Sequence, residues 1–179
     1  MSSKNRKYVP DMALHRDELE QLAQDRFAFL TREKGFTPCP SEQEAQWTNY
    51  YYTDPHAPIG IQVHLDFRDD TVRVNLLRMR DGELPPHGFV DVDRGERIRV
   101  AFQQLLKNFL HVEDARLDEL YDLLYAAPPP GQWRDHRWAD DVLARWQDLV
   151  ERYIDLVERQ PIEALFPPPP PGASPASQA

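Results

Sequence analysis

Apolar positions along this chain follow two different periods. Over residues 11–34, Leu19, Leu22, Ala23, Phe29 and Leu30 recur at helical spacing, with Arg26 on the same stripe. Asp11 or Asp17 caps the start. Gly35 stops the helix in a left-handed conformation, and Phe36 packs back on it. From residue 59 the period changes to two. Ile59, Ile61, Val63, Leu65 and Phe67 alternate with Gly60, Gln62, His64, Asp66 and Arg68, which predicts a strand buried on one face.

Two neighbouring segments complete a meander. Residues 47–53 are rich in aromatics and Thr, which suit a pleated surface. Residues 71–79 return after Asp69-Asp70. A two-residue loop there sets Phe67 opposite Val72, Leu65 opposite Val74 and Val63 opposite Leu76. It also sets Asp66 opposite Arg73 and His64 opposite Asn75, and a four-residue loop with that register is an alternative. Alternation slips at Leu77, which predicts a bulge or the strand's end. Pro38 and Pro40 predict a loop over residues 37–44, and residues 89–92 a short edge strand.

The remaining pattern is helical. Asp93-Arg94-Gly95-Glu96 resembles a capping box, which starts a helix carrying Ile98, Ala101, Phe102, Leu105, Phe109 and Leu110. Asp114 caps a second, with Leu117, Leu120, Tyr121 and Leu124 inward, ended by Pro128-Pro129-Pro130-Gly131. The third covers residues 135–159, with Val142, Trp146, Leu149, Tyr153, Leu156 and Val157 on its apolar face. Asp141–Arg145, Asp148–Arg152 and Asp155–Arg159 form acid-before-base pairs on the other.

Grouped strands and grouped helices define an α+β fold. It has an N-terminal helix, a three- or four-stranded antiparallel meander, and three C-terminal helices packed on one sheet face. The expected organisation is a flexible terminus (residues 1–10), one domain (11–166) and a disordered proline-rich tail (167–179). A chain of 179 residues buries enough surface to fold without a disulfide or metal.

Charge and cysteine use narrow the function classes. The net charge of −9 disfavours nucleic acid as a partner. The single cysteine, Cys39, fits a cytoplasmic setting. No stretch has the apolar length of a membrane helix. Walker-type loops, dinucleotide fingerprints and nucleophile elbows are absent, and no cofactor is implied.

Candidate chemistry gathers on the polar side of the meander: Gln62, His64, Asp66, Arg73 and Asn75. A catalytic arrangement would use His64 as base with Asp66 nearby. Residues two apart on a strand stand ~6–7 Å apart, however, and Asp66 has Arg73 as a better partner. The plainer reading is a solvated face. Cys39, between two prolines, lacks the donors that lower a thiol's pKa. The six histidines include no metal-binding helical pair. Trp47, Tyr50, Tyr51 and Tyr52 divide between the core and an outer patch suited to a protein contact. Trp47, Tyr50, Tyr52, Gln62, His64, Arg73 and Asn75 are therefore the candidate interaction residues.

Phe166-Pro167-Pro168-Pro169-Pro170 resembles the aromatic-plus-four-proline ligand of EVH1 domains. The resemblance covers five residues and implies a polyproline docking segment. The sequence as a whole points to a non-catalytic interaction or regulatory protein with a protein partner. The alternative is a small enzyme or ligand-binding domain at His64 and Asp66.

Overall fold

The structure, a computed structural model, describes residues 12–69, 71–126 and 136–169, without the side chains of residues 12–15 and 136. The expectations for residues 1–10, the Asp11 cap, the Asp70 turn position, Pro128 to Gly131, Asp135 and the tail beyond Pro169 lie outside the described residues.

Helix α1 (Met12–Arg32) comes first. Gly35 follows it with φ of +76°, and the Phe36 N–H donates to the Leu30 carbonyl, so the stop operates as the sequence predicts. A five-stranded antiparallel sheet follows: β1 (Thr37–Gln43), β2 (Trp47–Thr53), β3 (Ile59–Asp66), β4 (Thr71–Arg78) and, after a small hairpin, β7 (Arg99–Ala101). The hairpin pairs β5 (Val90–Asp91) with β6 (Glu96–Arg97). In the sheet the order is β1-β2-β3-β4-β7.

The C-terminal part is helical. A three-residue turn, α2 (Phe102–Gln104), widens into a π-helical turn over Leu105–Phe109. Helices α3 (Ala115–Tyr125), α4 (His136–Glu158) and the short α5 (Ile162–Leu165) complete it. The Asp114 side chain accepts from the Arg116 N–H and caps α3.

The core lies between one sheet face and the helices. Ile61, Val63, Leu65, Val72, Val74 and Leu76 meet Phe27 and Leu30 of α1 and Trp146, Leu149 and Val150 of α4. Phe166 closes this core at 3% exposure. Among the described residues no helix is long and apolar enough to cross a membrane.

Four local expectations are corrected. Residues 37–43 form edge strand β1 instead of a loop. An edge strand needs N–H groups on one side only, and the register shift between Cys39 and Glu42 takes up Pro40. The β3–β4 register is displaced by two: Leu65 faces Val72, Val63 faces Val74, His64 faces Arg73, Gln62 faces Asn75 and Asp66 faces Thr71. The cause is Asp66, whose carboxylate accepts from the Arg68 and Asp69 N–H groups and ends β3 early. A displacement of two keeps every side chain on its predicted face.

Asp93-Arg94-Gly95-Glu96 lies at the β5–β6 turn and starts no helix. Gly95 has φ of +62°, which a helix excludes. On α4, Leu156 is 38% exposed, whereas Leu143, Val150 and Ile154 are buried beside the predicted apolar residues. Of the three acid–base pairs on α4, only Asp148–Arg152 lies within 4 Å. Arg145 pairs with Glu119 and Asp155 with Lys34.

Candidate functional site

Much of the polar sheet face is buried, with His64 and Asp66 partly so and Arg73 exposed. Asn49, Gln62 and Asn75 are each under 5% exposed. The chain from Met79 to Phe89 turns back beside this face. It is held by the Met79 N–H to the Pro58 carbonyl and by Ile98 and Arg99 N–H groups to the Phe89 carbonyl. Leu77, Met79 and Tyr51 form a second small apolar cluster there, with Cys39 and Leu84 at its margin. Long-range cover of this kind leaves no mark in strand periodicity.

Burial is met by hydrogen bonds. His64 Nδ1 lies 2.7 Å from Asn49 Oδ1, and Asn49 Nδ2 donates to Glu42 at 3.3 Å. The Tyr51 hydroxyl donates to the same carboxylate at 2.5 Å. Asn75 Nδ2 donates to Gln62 Oε1 at 3.0 Å, and Arg99 donates to the Gly88 carbonyl at 2.7 Å. Burial depresses the His64 pKa, Asp66 opposes this, and Arg73 and Arg99 add to it. Burial opposes ionisation of Glu42, yet the hydrogen bonds from Tyr51 and Asn49, with the charges of His87 and Arg99, hold its carboxyl below the usual value. Tyr51 is shifted upward by burial and by Glu42. Trp47 stacks near both His64 and His87, with ring centroids 6.2 and 6.3 Å away.

The sequence candidates thus divide. His64, Gln62 and Asn75 join a structural network, and Asp66 caps a turn. Tyr50 and Tyr52 face the main core at 9% and 7% exposure. Phe166 is buried, and the Pro167 carbonyl accepts from Arg97, so the polyproline segment begins against the domain. Cys39 is a partly exposed free thiol, 3.7 Å from the Thr53 hydroxyl. Among the described residues no three His, Cys, Asp or Glu side chains are grouped to hold a metal.

A second site was not visible in the sequence. β7 covers only half of β4: Asn75, Leu76 and Leu77 face Ala101, Val100 and Arg99, and no Val74–Phe102 pair continues the ladder. At Phe102 the chain turns into α2, whose Leu105 N–H takes the Phe102 carbonyl. Beyond that point lies a groove of about 420 Å³. The open half of β4, Gln103 and Gln104, Arg97, Phe89, and Leu124, Tyr125 and Trp146 line it.

The backbone direction at this groove follows from antiparallel alternation. The Arg78 N–H donates to Ile98 across the β4–β7 side. Even-numbered residues of β4 therefore turn their N–H and C=O groups that way, Val72 and Val74 included. The Trp146 indole, donating to the Val72 carbonyl at 3.2 Å, lies on the same side and agrees. The N–H groups of Val72 and Val74 thus face the groove outside the ladder. Three buried side-chain oxygens of groove residues, Thr71 Oγ1, Asn75 Oδ1 and Gln103 Oε1, also have no hydrogen-bond partner. Buried polar groups are rarely left so, and these three border one cavity, whereas Glu96 Oε2 and Arg99 Nε lie outside it.

The fold and site define an α+β protein with a half-open sheet edge beside a polar-lined groove. Comparison with known protein families, curated proteins and solved structures finds no match to this chain.

Proposed function

We propose that this is a non-catalytic interaction protein that takes an extended segment of another polypeptide along the open half of β4. The reading is carried by the short pairing of β7 on β4, which by strand alternation leaves the Val72 and Val74 N–H groups outside the ladder on the groove side. An added strand offers carbonyls to both N–H groups, while the Val72 carbonyl stays with the Trp146 indole. Its side chains would meet Leu124, Tyr125 and Trp146 on the helical side and Arg73 and Asn75 on the other. The net charge of −9 favours a protein partner over nucleic acid, and the free Cys39 suits a cytoplasmic setting.

Catalysis at His64 and Asp66 has less support. The Asp66 carboxylate is engaged by two backbone N–H groups, and His64 Nδ1 meets a neutral amide instead of an orienting carboxylate.

Panning a random peptide library on the full chain tests the reading, followed by amide hydrogen exchange with the selected peptides. In the free chain, Val72 and Val74 amides should exchange well ahead of Leu76, and bound peptide should slow both. Peptides that bind without slowing these two amides sink the reading. So do a library that yields no binder and free-chain protection equal to that of Leu76.

A further inference from the structure

The groove carries a charge opposite to that of the chain. Among 30 Asp and Glu and 21 Lys and Arg residues, the groove is lined by two arginines, Arg73 and Arg97, and by no carboxylate. Neither arginine has a carboxylate within 4 Å among the described residues. Arg32, Arg99 and Arg159 share this, whereas Arg16, Arg26, Arg68, Arg78, Arg80 and Arg145 each have one. Arg97 is partly buried all the same. It donates Nε to the Pro167 carbonyl at 3.1 Å and lies 5.4 Å over the Phe109 ring, contacts that supply no anionic partner.

We propose that the segment taken at β4 is acidic: an extended peptide whose Asp or Glu side chain sits between Arg73 and Arg97 while its backbone pairs with Val72 and Val74. This inference rests on the strand-addition reading above. Arginine binds a carboxylate through paired, charge-assisted hydrogen bonds, so the cations select the side chain while the strand edge fixes the backbone. A second copy of this chain is a poorer occupant. Pairing β4 with itself across a two-fold axis brings Arg73 towards its own copy, a like-charge contact. A nucleic acid meets the same two cations but leaves the strand's N–H groups unread, and it must approach a chain of net charge −9.

The test uses the full chain and three acetylated, amidated heptapeptides of alternating Thr and Val that differ only in a central Glu, Gln or Lys. Binding is followed by NMR shifts of the Val72 and Val74 amides. The Glu peptide should bind about ten-fold tighter than the Gln peptide, with the Lys peptide weakest. The Glu advantage should shrink as salt is raised. Arg73→Gln, at an exposed position, should remove most of the advantage without weakening the Gln peptide. Arg97→Gln should act alike, with unchanged shifts outside the groove showing that the fold is intact. Equal binding of all three peptides at Val72 and Val74 overturns the acidic preference and leaves strand addition standing. Absence of shifts at these amides with every peptide overturns both. A single-stranded oligothymidylate that shifts the groove amides when no peptide does identifies the groove as a phosphate site and also overturns the proposal.

Discussion

At the scale of single residues, the polar sheet face is a buried network that stabilises the domain, and His64 gives it a pH dependence. Burial lowers the folded-state pKa of His64 below its ordinary 6.5. The unfolded chain therefore takes up a proton first as pH falls, so His64 costs stability as pH drops from 6.5 towards its folded-state value. Glu42 has the same sign in a lower window: its stabilising ionisation is complete above 4.5 and is lost as pH falls through its depressed pKa. Glu158, raised by burial, has the opposite sign above 4.5, so the wild-type curve alone is mixed. The informative quantity is the difference from His64→Gln. Urea unfolding between about pH 6.5 and 5 should show the wild type losing stability relative to the variant, by less than about 1.4 kcal/mol per pH unit, the limit for one proton. Parallel curves would show that His64 is not held neutral. Tyr50 and Tyr52 illustrate why a residue's identity says little about its exposure. Both were candidate contact residues because tyrosine suits interfaces, yet strand alternation and α1 put them in the core.

Among the elements, β3 shows both what periodicity reveals and what it misses. Its alternation was fully legible, and Ile59, Ile61, Val63 and Leu65 are all at most 2% exposed. The same reading made Gly60 merely a polar-phase position. In the structure a Cβ at Gly60 would lie 3.0 Å from the Tyr52 carbonyl oxygen and 3.3 Å from Met79 Sδ. Gly60→Ala should therefore destabilise the protein by about 1–3 kcal/mol, measured by urea unfolding. A neutral result would mean that the β2–β3 contact relaxes freely. Helices α1, α3 and α4 were legible for a like reason, each burying one stripe, although Tyr121 of α3, read as inward, is 55% exposed. The misreadings came where one local pattern serves two structures. Asp-x-Gly-Glu fits a capping box and a hairpin turn equally well, and only pairing between Val90–Asp91 and Glu96–Arg97 decides it. The groove was illegible because it is made by separation in sequence. Arg73 and Asn75 were named, but Arg97, Gln103 and Trp146 join them only through the fold, and no periodicity announces a strand that its neighbour covers by half.

For the whole molecule, the decisive question is what its two sheet edges offer to a second copy. An open strand edge is a template for association unless something blunts it. At the β4 edge the open part is short, and Arg73 opposes a two-fold partner by charge. At the other edge, β1 uses proline: Pro38 stands opposite Tyr52, and Pro40 falls within the register shift between Cys39 and Glu42. Each proline removes an N–H from the outer row or from the pairing itself, and the bulge twists the edge away from a flat partner. The two prolines that suggested a loop are then a means of keeping the sheet to itself. The edge they protect lies across the sheet from β4, so protection does not interfere with binding there. Replacing Pro38 and Pro40 together by Thr restores two donors and raises strand propensity. The variant should self-associate with rising concentration in sedimentation velocity, while the wild type sediments as a single monomeric species. Peptide binding at Val72 and Val74 should be unaltered, because the two edges lie at opposite sides of the sheet. A variant that stays monomeric would show that the bulge alone closes the β1 edge. A variant that loses peptide binding as it associates would show that the two edges are coupled through the sheet.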